Sequence, residues 1–144
     1  MGCWLQKSQR HDMQIDGNIM IRLILVDDQA IVRQGLRMRL LMEPDIAVIG
    51  EASSGEQALE LVQELSPDIV LMDVEMPGMD GITATTAIRA NTPQSAVVMM
   101  SIHDDARTRT RAKAAGAAAF VEKSGTLEVL LATIRQIVEI TGRT

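Results

Sequence analysis

Five polar groups follow apolar runs in this chain: Asp27 and Asp28 after "IRLILV", Asp73 after "DIVLM", Ser101 after "AVVMM", and Lys123 just beyond "AAAFV". Free aspartate titrates near pH ~3.9, so three convergent carboxylates repel one another at neutral pH. Lys123 offsets one charge and leaves a negative cluster of hard oxygens. That is a ligand set for Mg²⁺, which takes one or two carboxylates plus water and a phosphate oxygen. With such an ion present, a carboxylate oxygen can act as nucleophile toward a phosphoryl group, with Lys123, the Ser101 hydroxyl or backbone N–H groups binding the equatorial oxygens. Asp73 is the carboxylate so placed, and the Pro77-Gly78 turn keeps the next loop tight and clear of the donor. Singly, each group has a plainer reading. Asp28 could cap a helix, Ser101 could end a strand in a turn, and Lys123 could be a solvated charge. His11 and His103 stand apart and offer no zinc or copper set.

These groups lie 46, 28 and 22 residues apart, so the fold must bring them together. Aliphatic, strand-like runs occur at 21–26, 46–49, 69–72, 96–100 and 117–121. Helical spacing fills the intervals: Val32, Leu36 and Leu40; Ala58, Val62 and Leu65; and Leu127, Leu130, Leu131, Ile134 and Val138. Ser54 with Gln57 has the form of a capping box, Asp80 precedes the third helix, Ser66-Pro67 closes the second, and Gly116 stands where a C′ residue belongs. Alternating strands and helices imply βαβ crossovers and an α/β domain with a parallel sheet covered on both faces. In such sheets the active groups sit beyond the carboxyl ends of the strands, which is where these five fall.

The 144 residues suit one domain. With one Trp, one Phe and no Tyr, its core is aliphatic, and the ten Met residues read as core filling. A net charge of -5 argues against a nucleic-acid or anionic-membrane surface as the main role of this chain. The lone Cys3 cannot form an internal disulfide, and no apolar run reaches the ~18 residues of a membrane span. Residues 1–19 lack a signal-peptide core and read as a disordered leader or start-site artefact; Gln6 stands where N-myristoylation expects Ser or Thr. The domain is expected over 20–142. Arg107, Arg109, Arg111 and Lys113 read as the solvated face of the fourth helix.

"LILVDDQ", "DIVLMDVEMPGMDG", "VVMMSIHDD" and "AGAAAFVEKS" together resemble the receiver domain of two-component response regulators, over about residues 20 to 141. The resemblance implies a flavodoxin-like, doubly wound sheet of five parallel strands in the order 2-1-3-4-5 with five helices. It implies Asp73 as phosphoacceptor, Asp28 as direct Mg²⁺ ligand, Asp27 as holder of the ion's water shell, and the Glu75 backbone carbonyl as a further ligand. Lys123 would contact the phosphoryl group, with Ser101 as switch hydroxyl and Phe120 as switch aromatic. Ser124 replaces the proline that often follows the lysine. Phe120 lacks the hydroxyl of the common tyrosine, and Glu75 and His103 stand at positions where, the resemblance implies, the family varies its residues and tunes the lifetime of the phosphorylated state.

The implied function is a cytoplasmic signalling switch, not an enzyme with a separate substrate, that is phosphorylated by a sensor histidine kinase and reshapes its helix 4–strand 5–helix 5 face. "VDDQAIVRQGLRMRLL" and "EKSGTLEVLLATIRQI" look most like the branch whose receivers precede a helix-turn-helix DNA-binding domain. Transcriptional output would then run through a domain absent from this chain, with homodimerisation on phosphorylation. Two other readings compete. An aspartyl-phosphate-using phosphohydrolase of the haloacid dehalogenase kind is faintly echoed by "DVE" at 73–75, but Pro77 disagrees with its signature. A phosphorylation-independent interaction module leaves the acidic set unexplained. "VDDQ" in place of a Gly-rich loop argues against dinucleotide binding.

Overall fold

Ile21–Val26 (β1), Ile46–Ala52 (β2), Ile69–Asp73 (β3), Ala96–Ser101 (β4) and Ala119–Glu122 (β5) form one parallel sheet, ordered β2-β1-β3-β4-β5. Helices Ala30–Leu40 (α1), Gly55–Leu65 (α2), Gly81–Asn91 (α3), Ala106–Ala115 (α4) and Leu127–Ile140 (α5) connect or follow the strands. The computed structural model describes residues 14–15 and 18–141, and the first of these form a short antiparallel pair, Gln14–Ile15 with Asn18–Ile19. Apart from that pair, the expected leader at 1–19 lies outside the described residues.

The sheet divides its side chains by the period of two. Ile24, Val26, Val70, Met72, Val97 and Met99 face one side, where Ala58 and Val62 of α2, Ala84 and Ile88 of α3, and Ala112 of α4 cover them. Leu23, Leu25, Ile69, Leu71, Val98 and Met100 face the other, against Leu40 of α1 and Leu130, Leu131, Ile134 and Val138 of α5. β3 is buried at every residue because it lies third of five strands, with helices on both faces. The expected strand at 117–121 is instead 119–122, since Gly116 (φ 102) ends α4 and Ala118 N still donates to Val97 O before the ladder begins. The second strand runs on to Ala52, past the expected 49, with a register shift against β1 between Leu23 and Ile24.

Local chemistry sets the helix ends. Ser54, Asp80, Asp105 and Thr126 each accept a backbone N–H three residues on, and so cap α2, α3, α4 and α5. The expected capping box at α2 is displaced by one residue: Ser54 accepts from Gln57 N, but the Gln57 side chain accepts from Ser53 N. Arg22 on β1 donates to the Leu65 and Ser66 carbonyls, closing the C-terminus of α2 with a cation.

Candidate functional site

β1 ends where Asp27 N donates to Ala52 O at 3.1 Å, which fixes the strand tip against β2. The Asp27 side chain is buried; its Oδ1 accepts from Gln29 N at 2.9 Å, and its Oδ2 lies 2.8 Å from Lys123 Nζ. That Oδ2 is fully buried, with the Lys123 ammonium as its partner. Asp28 is exposed and does not cap α1: the cap position is Gln29, without a side-chain cap bond.

β3 delivers Asp73 to the same edge, with the residue 3 % exposed. Its Oδ1 accepts from Glu75 N at 3.2 Å, and its Oδ2 lies 3.2 Å from Lys123 Nζ. The chain then turns sharply. Val74 N donates to Met100 O, Gly81 N returns to Val74 O, and Gly78 takes φ 76, a left-handed conformation natural to glycine. Gly81 packs so closely that a Cβ there would stand 2.1 Å from the Asp73 carbonyl oxygen. Lys123 arrives at the end of β5, where its N donates to Ser101 O at 2.8 Å. Ser101 is buried, and its Oγ accepts from His103 N at 3.0 Å.

One ligand oxygen from each of Asp27, Asp28 and Asp73 lies within 4.8 Å of the other two. Burial first, and then the Asp27 charge, push the Asp73 carboxyl up to about 6, against the opposing pull of Lys123. For Lys123, burial works to lower the ammonium's pKa, but hydrogen bonding to Asp27 and the Asp73 charge prevail and raise it. A single cation thus serves two carboxylates, with a third alongside. An all-oxygen cluster of three carboxylates facing one ammonium keeps leftover negative charge and fits a hard divalent cation.

The expected residues Asp27, Asp28, Asp73, Ser101 and Lys123 lie at one edge of the sheet. Glu75 and His103 stand at the rim, His103 Nε2 being 3.4 Å from Glu75 Oε2. An open cleft of ≈ 530 Å³ beside Asp73 is bordered by Glu75, Pro77, Asp80, Ser101 and His103. Phe120 lies apart on β5, half-buried, with the Arg109 guanidinium 4.7 Å from its ring centroid. Arg109 also pairs with Asp104, and Arg107, Arg109, Arg111 and Lys113 are all exposed. Sequence reasoning missed Arg33, whose Nη1 donates to the Asp27 carbonyl at 2.5 Å. The one available signal was its place as a cation in the first turn of a helix.

A family model described as "Response regulator receiver domain" matches residues 23–135. The response regulator GacA of Pseudomonas aeruginosa is 39% identical over 118 residues, 82% of this chain and 55% of that protein. The nitrate/nitrite response regulator protein NarL of Escherichia coli is 35% identical over 79% of this chain and 53% of its own. The chain therefore spans about half the length of these curated relatives. Among solved structures, a LuxR-family two-component response regulator from Aurantimonas sp. superposes with TM-score 0.80 at 36% identity, covering 83% of this chain and 86% of that one. The receiver domain of a NarL-named regulator from Mycobacterium tuberculosis gives TM-score 0.75 at 32% identity, covering 81% and 97%. The chain belongs to the response regulator receiver domain family.

Proposed function

We propose that this domain is a phosphorylation-controlled switch in which Asp73 accepts a phosphoryl group. A carboxylate oxygen of Asp73 forms the new bond to phosphorus, while the bond from phosphorus to the donor breaks: to imidazole nitrogen for a sensor histidine kinase, or to acetate oxygen for acetyl phosphate. The observation that carries this reading is the meeting of three carboxylates within 4.8 Å, two of them sharing Lys123 Nζ at 2.8 and 3.2 Å. Mg²⁺, held by Asp28, Asp73 and the Glu75 backbone carbonyl with Asp27 ordering its water shell, would neutralise the pocket and the incoming phosphoryl oxygens.

The protein's own groups do the rest. Lys123 is positioned to exchange its Asp73 contact for a phosphoryl oxygen. The Ser101 hydroxyl accepts from His103 N, so its O–H is free to donate to that group. Movement of Ser101 opens space for Phe120 to turn inward, which reshapes the face made by α4, β5 and α5. This is a population shift between two packings, biased by the charge added at Asp73.

The reading extends to partners. The kinship with GacA and NarL supports a histidine kinase upstream, transcriptional output through a DNA-binding domain downstream, and homodimerisation of the phosphorylated form. None of the described helices is long and apolar enough to cross a membrane. We assign the domain to the cytoplasm, as a phosphoacceptor that assists its own phosphorylation and dephosphorylation. A relative named protein-glutamate methylesterase/protein-glutamine glutaminase is matched over only 27% of its length.

The test is incorporation of label from acetyl phosphate in the presence of Mg²⁺. Asp73→Asn is expected to abolish it, and undiminished labelling of that variant would exclude Asp73 as acceptor. Multiple turnover of a generic phosphate monoester would point to a phosphohydrolase instead.

A further inference from the structure

We propose that Arg33 is a positioning residue for the acidic pocket, holding the tip of β1 so that Asp27 and Asp28 present their carboxylates to the cation. The inference rests on the reading of that pocket as a Mg²⁺-dependent phosphoacceptor site. Arg33 is the fourth residue of α1, near the helix end where the exposed N–H groups carry partial positive charge. A cation is locally unfavourable there. The first turn contains no acidic residue and the cap position makes no side-chain bond, so α1 itself does nothing to offset it. A residue that breaks the local rule calls for a compensating partner elsewhere.

Arg33 has two such partners, both off its own helix. Nη1 donates to the Asp27 backbone carbonyl at 2.5 Å, and Nε donates to Glu51 Oε1 at 3.2 Å. Glu51 belongs to β2, opposite Leu25 of β1, and also pairs with Arg37 at 3.7 Å. The Asp27 carbonyl lies one residue past the last β1–β2 register pair, Val26 with Ala52, and no other described residue donates to it. The guanidinium fork thus ties α1, the β1 tip and β2 into one unit at the peptide that joins Asp27 to Asp28. Its side chain is 18% exposed, so the fork is held mostly out of water.

Position and charge make opposite predictions. As a bare charge beside the pocket, Arg33 would repel a cation, and its removal would tighten Mg²⁺ binding. Glu51 sits on the guanidinium and offsets that charge, so the geometric effect prevails. Loss of a group that orients metal ligands typically weakens affinity by about 10- to 100-fold.

The experiment is calorimetric titration of the unaltered chain, Arg33→Ala and Arg33→Lys with MgCl₂, alongside thermal unfolding of each in EDTA. Arg33→Ala is expected to bind Mg²⁺ about tenfold more weakly at a temperature where it is fully folded. Arg33→Lys is expected to fall between, because an ammonium keeps the charge but lacks the planar fork whose separate nitrogens reach Asp27 O and Glu51. Unchanged or tighter binding by folded Arg33→Ala, even with a lowered melting temperature, overturns the inference and leaves the phosphoacceptor reading intact. Should Arg33→Ala fail to fold, Arg33→Lys decides: affinity equal to that of the unaltered chain overturns the assignment. Absence of Mg²⁺ binding by the unaltered chain would instead overturn the phosphoacceptor reading, and this inference with it.

Discussion

Asp73 Oδ2 lies 3.2 Å from Lys123 Nζ, yet the Asp73 carboxyl is raised from 3.8 to about 6. An ion pair that close would ordinarily lower it. Burial outweighs the lysine, and the Asp27 charge adds to burial, because Lys123 is shared between two carboxylates. The native fold therefore binds the Asp73 proton more tightly than the unfolded chain does. This contribution to stability is fully present below about pH 3.8 and is lost as pH rises through about 6. Asp73→Asn should remove that loss and stabilise the metal-free domain at pH 7.5 by on the order of 2–3 kcal/mol. Urea unfolding in EDTA checks this: the advantage of the variant should grow between pH 4 and pH 7. A constant difference across that range would mean that Asp73 titrates normally.

Lys123→Ala tests the same balance from the other side. It leaves Asp27 and Asp73, both buried, facing each other without their common cation. A loss of about 3 kcal/mol is expected at neutral pH without metal, the usual order for breaking a buried pair. Protonation near pH 4, or millimolar Mg²⁺, should recover part of it. Thermal unfolding followed by circular dichroism reads both effects, and insensitivity to pH and Mg²⁺ would show that the loss is one of packing alone.

Gly81→Ala concerns the backbone beneath the site. A Cβ at 81 would lie 2.1 Å from the Asp73 carbonyl oxygen and 2.9 Å from the Met99 side chain. The methionine can move aside, but the carbonyl belongs to a strand paired on both edges. The expected cost is about 3 kcal/mol, at the upper end for overpacking. The displaced Asp73 should also be labelled more slowly by acetyl phosphate, measured at a temperature where the variant is folded. Labelling at the unaltered rate would separate the close packing from the chemistry.

Asp27, Asp73, Ser101 and Lys123 are legible in the sequence because each follows an apolar run, and the crossover rule turns separate strand ends into one edge. The β1–β3–β4 core is legible for a related reason: its runs are short, continuous and aliphatic, with turn signals at both ends. Arg33 and Arg109 are not. Both depend on a long side chain reaching off its own helix, Arg33 to the β1 tip and β2, Arg109 to Phe120 and Asp104. Helical spacing assigns such residues to a solvated face and says nothing of where the guanidinium ends. The start of β5 was missed by two residues because "AAA" at 117–119 has little preference for strand, and Gly116 decides where α4 stops.

Arg135 of α5 donates to Asp45 through Nε and Nη2, each at 2.8 Å, and to Glu43 at 2.8 Å, pinning the last helix to the segment between α1 and β2. Hydrogen bonding from Arg135 is the largest cause of the lowered Asp45 pKa, with its charge acting in the same direction against partial burial. A carboxyl whose folded pKa is depressed stabilises the fold above its unfolded pKa of ~3.9, and that stability disappears as pH falls through the folded value. Arg135 is 41% and Asp45 34% exposed, so screening limits the pair to about 1 kcal/mol. Arg135→Ala should lower stability by that amount at pH 7, and the gap should narrow below pH 4. Urea unfolding at the two pH values, repeated in 0.5 M NaCl, gives the check. A gap that survives both acid and salt would assign the effect to lost packing of the arginine stem.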